Sequence, residues 1–516
     1  MRVLCVACCL ALWLVGAGAA QSCGAESSSS SAAVQDTQAP PVDSGVPVAD
    51  SGEASGDVVP SEDSQPASET STPDTEEPTC PPLEDWYVNT DVVEPALALE
   101  DICQQYLDHA EALGATPDAA VNLIDLQTGT LTEATPAEVN NPGLSKRRLI
   151  ANAVERQALC NDGSPAVYYY RPGTVNKWVI HLEGGGACSS PKDCLDNRWN
   201  DPTEFHKMSS CDQEAARDHQ GILSPDESVN PDFYNWHHVF VEYCSSDTWA
   251  GDVPPGLWNN PRTGTAEERL WYFRGRRIVG AAIEDLLDPE RTPEPNLSQA
   301  TELIFTGTSA GAGGLRTNLD WVAGMVPGIQ VCGIVDAAFK NPGDLSVVPE
   351  IKPTDVFVQT YLGPHPHPAC YAETCNPYAC SEANYVGLAH TSTPFFVQMN
   401  QWDTKVNPGQ DADIASDIRE VVATRNGAYS HREEGKHVYI TLPRWNDPAV
   451  SSFQVGPVKY TYREVFGAWY FDRTVLPDAD APGGEKPAFK LFIRDEPNTV
   501  LHSKAFGGMC GGAYPQ

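Results

Sequence analysis

Residues 302–315, with the sequence ELIFTGTSAGAGGL, decide the fold class that this chain is expected to adopt. Residues 303–305 are apolar and predict a short buried strand. The pentapeptide GTSAG at 307–311 follows directly, and the small residues after it can begin a helix. A strand, a sharp turn that carries a serine, and a helix together form a nucleophile elbow. The order therefore predicts that Ser309 is a nucleophile at a helix N-terminus, where backbone amides can stabilise negative charge.

A second glycine-rich loop lies upstream, directly after a predicted strand at 178–182. Residues 183–188 read EGGGAC, and three consecutive glycines let backbone amides approach a ligand without side-chain hindrance. In α/β-hydrolases such a loop supplies part of the oxyanion hole, and the amide after the nucleophile supplies the rest. Here that second amide belongs to Ala310. The alternative is a plain flexible turn, which the position upstream of a serine elbow disfavours.

The wider pattern favours the same fold class. Apolar segments that alternate with helical segments, here 267–287 and 412–424, indicate a parallel sheet covered on both faces. We therefore predict an α/β fold of the α/β-hydrolase type, with a doubly wound and mostly parallel sheet. The predicted strands are residues 178–182, 238–243, 303–305, 330–335, 394–399 and 437–442.

The chain is expected to have three parts. Residues 1–22 resemble a signal peptide, because one basic residue, a short apolar run and small residues follow in order; the run is too short for a comfortable membrane span. Residues 23–79 are expected to form a disordered Ser/Pro/acidic linker with too few apolar residues to fold, and residues 80–516 the folded domain. This organisation predicts a secreted, cell-surface or periplasmic protein without a transmembrane helix. Cys23 could carry a lipid anchor, with ordinary cleavage near Ala20 as the alternative.

Charge narrows the possible partners. The formal net charge is −37, and residues 24–79 contain 12 Asp or Glu and no Lys or Arg, so the linker carries about a third of it. The remainder is still acidic, which argues against nucleic acid or an anionic membrane as a partner.

Cysteine usage predicts disulfides. Of 16 cysteines, 12 lie beyond residue 79, and an even number in an exported chain indicates paired thiols. Local bridges are expected between Cys188 and Cys194 and within one pair drawn from Cys370, Cys375 and Cys380. The nearby histidines at 365 and 367 suggest zinc as an alternative, but disulfides explain this segment better, so no metal or other cofactor is predicted.

Seven segments, taken together and in order, resemble the pectin acetylesterase and Notum family of serine carboxylesterases. The resemblance covers about residues 150–473 and implies an α/β-hydrolase fold and metal-free hydrolysis of carboxylic esters. It implies acetyl groups on plant polysaccharides as substrates, or a fatty-acyl group on a protein in the Notum branch. The segments are HLEGGGAC, FYNWHHVFVEYCSSDTWAGD, LWYFRGRRIVGAAIEDLL, GTSAGAGG, VDAAF, QWDTKV and FGAWYFDR.

The resemblance also implies roles for particular residues. Ser309 is similar in position to the family's nucleophile, and Asp403 to its triad acid. Asp403 also follows the predicted strand 394–399, which fits the chain order Ser, Asp, His. The amides of Gly186, Ala187 and Ala310 correspond to the oxyanion hole. Ala187 stands where many relatives have Trp, which changes the pocket wall but not the amide.

The sequence alone does not identify the histidine of the triad. The family's histidine follows the last strand, which is expected here at 437–442, and Asn446 stands near its place. His431 lies in a family-like segment but precedes that strand. His437 would begin the strand and face the wrong end of the sheet. His502 lies on a C-terminal tail that a disulfide of Cys510 could hold. His431 is the first candidate and His502 its rival, and absence of a base is the third possibility.

Three functions follow from these observations. The first is an exported serine esterase that removes acyl groups, most simply acetyl, from a carbohydrate through an acyl-enzyme. The second is a catalytically silent relative that binds glycan or an acylated ligand, which the unassigned histidine motivates. The third is an esterase that acts on lipid or on an acylated protein.

Overall fold

The structure is a computed structural model that describes residues 80–81, 99–115, 124–125, 130–131, 141–252, 256–259, 266–340, 365–400, 403, 405, 427–431, 437, 439, 441–446, 453–455, 458–471 and 491–493. All of them belong to one compact unit, Thr75–Gln516. The predicted signal peptide at 1–22, the linker at 23–79 with Cys23, the helix at 412–424 and His502 lie outside the described residues.

A ten-stranded sheet forms the centre of this unit. Its strands, labelled with all described strands in chain order, are β3 (Ser145–Leu149), β4 (Val167–Arg171), β5 (Lys177–Leu182), β6 (Ala216–Arg217), β7 (His237–Val241), β10 (Glu302–Thr308), β11 (Gln330–Asp336), β12 (Phe395–Asn400), β13 (Gly427–His431) and β16 (Leu491–Ile493). Three two-stranded sheets pair β1 (Ile124–Asp125) with β2 (Thr130–Leu131), β8 (Gly256–Asn259) with β9 (Ala266–Trp271), and β14 (Phe453–Val455) with β15 (Val458–Tyr460).

The strand order across the large sheet is β16-β13-β12-β11-β10-β5-β7-β4-β3-β6. The first seven strands in this order are parallel, and the last three pair antiparallel at one edge. The register sets Thr308 opposite Asp336 and Gly307 opposite Leu182. Since the carboxyl ends of parallel strands meet at one edge, the loops after β5, β10, β12 and β13 are brought to the same side.

Helices cover both faces of the sheet. They are α1 (Leu99–Ala112), α2 (Ala153–Arg156), α3 (Pro191–Cys194), α4 (Gly275–Leu287), α5 (Ala310–Met325), α6 (Pro368–Thr374), α7 (Ala383–Ala389) and α8 (Tyr462–Tyr470), with shorter turns at Leu195–Trp199, Phe205–Met208, Gly221–Leu223, Leu297–Gln299 and Ala379–Ser381. Across the described residues, none of these helices combines the length and apolarity needed to cross a bilayer.

Strand β10 shows how the two cores arise. Its successive side chains point to opposite faces, so Leu303 and Phe305 join a core that includes residues of α4 and α5. Ile304 between them joins a second core, which includes Phe466 and Trp469 of α8. All seven residues of β10 are buried, which explains the apolar run at residues 303–305. The predicted α/β-hydrolase-like fold, doubly wound around a mostly parallel sheet, is confirmed.

Two predicted elements are wrong. Residues 267–287 are not one helix, because β9 ends at Trp271 and α4 begins only at Gly275. The predicted strand 437–442 does not form at the described positions His437, Tyr439, Thr441 and Leu442. The last large strand before them is β13, which ends at His431. The other five predicted strands form within three residues of their expected ends.

Disulfides form both local and long-range links within the unit. The expected bridge Cys188–Cys194 is present, and Cys370 pairs with Cys380. Cys375 pairs with Cys80 instead, and the remaining described bridges are Cys103–Cys211 and Cys160–Cys244. All three cysteines near the histidines at 365 and 367 are therefore used in disulfides.

Candidate active site

The turn at Ser309 has the geometry expected for a nucleophile elbow. Ser309 follows β10 directly, precedes α5, and has φ 54° and ψ −116°, a backbone conformation that non-glycine residues rarely adopt. Its N–H donates to the carbonyl oxygen of Asp336 at 2.8 Å. Ala310 begins α5, so its amide has no acceptor within that helix. A strained serine held by the surrounding structure motivates a functional interpretation.

The glycines on either side of the serine are required by close backbone contact. A Cβ atom at Gly307 would lie 2.2 Å from the carbonyl oxygen of Gly311, and one at Gly311 would lie 2.1 Å from the carbonyl oxygen of Leu182. Both distances are far below a van der Waals contact. The Gly-x-Ser-x-Gly pattern therefore reflects the packing of α5 against β10 and β5.

The glycine-rich loop after β5 lies against this elbow. A Cβ atom at Gly184 would lie 2.7 Å from the carbonyl oxygen of Thr308 and 3.1 Å from Cβ of Ser309. Gly186 has φ +73°, which glycine adopts without steric cost. The buried Arg198 holds the loop by donating to the carbonyl oxygen of Gly185 at 2.6 Å. Gly186 and Ala187 are solvent-exposed beyond this anchor.

Asp403 forms a hydrogen bond with His437, which the sequence predicted at the start of a strand. Nδ1 of His437 lies 2.7 Å from Oδ2 of Asp403. The Asp403 side chain is fully buried, and that of His437 is 18% exposed. The other carboxylate oxygen of Asp403 accepts the Lys405 N–H at 2.9 Å. A carboxylate at Nδ1 fixes the ring so that Nδ1 carries the hydrogen and Nε2 is an acceptor.

The remaining histidine candidates are placed differently. His431 is the last residue of β13 and pairs with Asn400, but its side chain lies outside what the structure describes. His502 also lies outside the described residues. Asn446, near the family's histidine position, accepts a hydrogen bond from Nε of Arg463 at 3.1 Å.

A signal for His437 was present in the sequence. His437 was expected to begin a strand and to face the wrong end of the sheet, and the structure corrects both expectations, because His437 lines the same cleft as Ser309. The error came from placing the strand at 437–442 rather than at Gly427–His431. With the strand at its observed place, His437 is a histidine that follows a late strand.

A cleft of about 830 Å³ joins these residues. Ser309 is half-buried in its wall, and among the described residues its hydroxyl group makes no hydrogen bond. The cleft wall combines charged and polar side chains with apolar surface. It is formed by His181, Glu183, Gly184, Gly185, Gly186, Glu204, Lys207, Arg217, Asp218, His219, Gln220, Phe240, Thr308, Ser309, Lys405, His437, Tyr439, Leu442 and Pro443.

Burial changes the protonation of several wall residues. Burial, and then the neighbouring Glu242, raise the pKa of the Glu183 carboxyl from 4.5 to about 8. Burial lowers the pKa of His181 and that of His219 to about 3. Both imidazoles are therefore neutral at neutral pH, and Phe240 lies between them with ring centroids 5.6 and 4.6 Å away.

Two cations of the cleft wall, Lys207 and Arg217, are paired with carboxylates. Lys207 lies 2.8 Å from both carboxylate oxygens of Glu204, and Arg217 donates to Glu242 at 2.5 Å. Within the described part of the chain, no group of three or more His, Cys, Asp or Glu side chains could hold a metal ion.

Comparison with known proteins gives a family match. Residues 140–428 match the family model described as pectinacetylesterase. The chain is 35% identical over 186 residues to the palmitoleoyl-protein carboxylesterase NOTUM of Mus musculus, and the aligned segment covers 35% of this chain and 33% of that protein. It is 32% identical over 166 residues to pectin acetylesterase 11 of Arabidopsis thaliana, covering 32% of this chain and 37% of that protein. The matched segments thus span about a third of these curated relatives.

A solved structure is also similar. The Wnt deacylase Notum from Drosophila matches with 26% sequence identity and a TM-score of 0.42, covering 55% of this chain and 83% of that one.

Proposed function

We propose that this chain, which belongs to the pectinacetylesterase family, hydrolyses carboxylic esters with Ser309 as its nucleophile. The observation that carries the proposal is the hydrogen bond between Asp403 and His437, a histidine that lines the same cleft as Ser309. A nucleophile, a histidine and an orienting carboxylate are the three groups that acyl transfer by a serine requires. The relatives named above are themselves a carboxylesterase and an acetylesterase, which supports the reaction class.

We assign the general base to His437 rather than to His431. The contact of Nδ1 with Asp403 leaves Nε2 as the proton acceptor, and the ring borders the cleft that Ser309 also lines. A hydrogen bond from the Ser309 hydroxyl to Nε2 is expected to form in the substrate complex, because catalytic hydrogen bonds are often long in ligand-free structures.

The proposed mechanism has two steps. Ser309 Oγ attacks the ester carbonyl carbon while Nε2 of His437 takes its proton, and the alcohol leaves with that proton. Water, deprotonated by the same nitrogen, then attacks the acyl-enzyme, and the acid is released as Ser309 Oγ leaves with that proton. The negative oxygen of each tetrahedral intermediate is stabilised by the amides of Gly186, Ala187 and Ala310. Ala310 is well suited to this role because it is the first residue of α5.

The proposed substrate is an acylated carbohydrate with a short acyl group, most simply acetyl. A long acyl chain needs an apolar pocket, whereas this wall also presents the charged side chains of Glu204, Lys207 and Arg217. Such groups suit the hydroxyl groups of a sugar. An acylated protein or lipid is the alternative, since one of the relatives is a palmitoleoyl-protein carboxylesterase. We also propose that the protein acts outside the cytosol, which its disulfides support.

Hydrolysis of p-nitrophenyl esters by the full chain tests the proposal. The chain is produced with its disulfides formed, and acetate, butyrate, octanoate and palmitate esters are compared in parallel with Ser309→Ala. Turnover that falls with chain length and disappears in Ser309→Ala is expected, as is acetate release from an acetylated polysaccharide. Turnover that rises with chain length would favour the fatty-acyl alternative. A folded parent with no turnover above Ser309→Ala would favour a silent binding protein.

A further inference from the structure

Asp336 contacts the two segments that carry the proposed nucleophile and base, although it does not line the cleft. It is the last residue of β11 and is fully buried. Strand β11 pairs in parallel with β10 so that Asp336 lies opposite Thr308, one residue before the nucleophile.

The contact with the elbow involves both the backbone and the side chain of Asp336. Its carbonyl oxygen accepts the Ser309 N–H at 2.8 Å. Its carboxylate Oδ2 accepts the hydroxyl group of Thr308 at 3.0 Å. These bonds hold two successive residues of a turn whose serine has an unfavourable backbone conformation.

The contact with the base segment uses the same carboxylate oxygen. Oδ2 of Asp336 accepts the Thr441 N–H at 3.1 Å, four residues beyond His437. Thr441 is fully buried, and its carbonyl oxygen accepts the Ile222 N–H at 3.0 Å. A Cβ atom at Gly221 would lie 2.1 Å from that carbonyl oxygen. Thr441 is therefore held from both sides, and the chain that carries His437 is anchored beside the elbow.

We propose that Asp336 is a positioning residue, which sets the distance between Ser309 and His437 by binding Thr308 and Thr441 through one oxygen. The inference rests on the proposed function, because it concerns the geometry of the same reaction. A carboxylate suits this position, since it is an acceptor only and both of these contacts come from donors. A catalytic base that is displaced by about 1 Å can lower the rate about 100-fold, so a buried contact outside the cleft can control turnover.

The test compares four variants of the full chain. Asp336→Ala removes both side-chain contacts. Asp336→Asn retains one acceptor oxygen, and Thr308→Val removes the contact to the elbow together with the contact between Thr308 and His181. Val331→Ala is the matched control, because it removes buried volume from the same strand without touching either segment. Each variant is measured for kcat and KM with p-nitrophenyl acetate and for amide hydrogen exchange of a peptide that covers residues 441–446.

Asp336→Ala is expected to lower kcat about 100-fold with KM changed by no more than about two-fold. Asp336→Asn and Thr308→Val should give intermediate losses. Exchange at 441–446 should be faster in Asp336→Ala than in Val331→Ala, even if the two substitutions lower the melting temperature by the same amount. If Asp336→Ala fails to fold, the losses in Asp336→Asn and Thr308→Val relative to Val331→Ala decide the question.

Failure of the proposed function would be recognised separately, by a parent without turnover above Ser309→Ala. Hydrogen exchange still decides the inference in that case, because it does not depend on activity. Faster exchange at 441–446 in the Asp336 variants, beyond that of Val331→Ala, supports it. Exchange and kcat that match those of Val331→Ala would overturn it.

Discussion

Nδ1 of His437 lies 2.7 Å from Oδ2 of Asp403, across 34 residues of chain. Asp403 follows β12 closely, and its N–H donates to the carbonyl oxygen of Asn400, the last residue of that strand. His437 follows the neighbouring strand, β13. Because the carboxyl ends of adjacent parallel strands lie side by side, the two residues meet at the edge of the sheet where Ser309 also lies. The proposed triad is thus a consequence of strand order.

Replacement of Ser309 by Ala is expected to remove ester turnover, with a loss of about 10⁴-fold or more in kcat, because no other group would form the acyl-enzyme. The parent should also be labelled once per chain by an organophosphonate, as measured by intact mass. Peptide mapping should place the label on Ser309. A folded parent that is not labelled, or a label on another serine, would contradict the assignment.

Replacement of Asp403 by Asn is expected to lower kcat about 10⁴-fold while the fold is retained, because an amide favours the wrong tautomer of His437. The measurement is kcat and KM for p-nitrophenyl acetate, with circular dichroism to establish folding. Asp226→Asn, at an exposed carboxylate in a surface turn, is the control and should behave as the parent. Equal activity in both variants would show that Asp403 does not orient the base.

Replacement of Gly311 by Ala is expected to destabilise the fold and to abolish activity. Its Cβ would lie 2.1 Å from a backbone carbonyl oxygen of β5, so the elbow or the strand must shift. The control is Gly324→Ala in the same helix, where a Cβ meets nothing within 4 Å. That change should stabilise the protein by up to about 1 kcal/mol, because alanine is the better helix former. Melting temperatures measure both effects, and equal values for the two variants would disprove the close-contact explanation.

Replacement of Glu183 by Gln is expected to change how stability depends on pH. The pKa of Glu183 is raised to about 8 in the folded chain, from 4.5. Between these values the folded state binds more protons than the unfolded state, so Glu183 makes the free energy of unfolding fall as pH rises. Glutamine removes this contribution. The free energies of unfolding of variant and parent are measured with urea from pH 5 to pH 9. The variant should gain stability relative to the parent up to about pH 8, and above that pH the two curves should be parallel. Parallel curves across the whole range would contradict the raised pKa.

The serine elbow and the glycine-rich loop could be predicted from sequence because their chemistry is local. A serine between two glycines, after an apolar strand, has few other structural explanations, and Gly307 and Gly311 make the close contacts that the pattern implies. The α/β fold was predictable for a similar reason, since β5, β10 and β11 are buried on both faces and read as apolar runs.

His437 could not be assigned in the same way, because its role depends on a contact with Asp403 that local sequence does not encode. The alternation of apolar residues in 437–442 favoured a strand there, whereas the sheet takes Gly427–His431 as the neighbour of β12. Because the strand lies at Gly427–His431 and not at 437–442, His437 follows a strand and does not begin one. Asp336 was missed for a related reason, since its partners Thr308 and Thr441 lie 28 and 105 residues away.

The most direct test of the central claim is a comparison of kcat/KM for p-nitrophenyl acetate among the parent, His437→Ala and His431→Ala. The account predicts that His437→Ala loses about 10⁴-fold or more, whereas His431→Ala retains activity within about ten-fold of the parent. Full activity in His437→Ala, with turnover lost in His431→Ala instead, would contradict the assignment of His437 as the base.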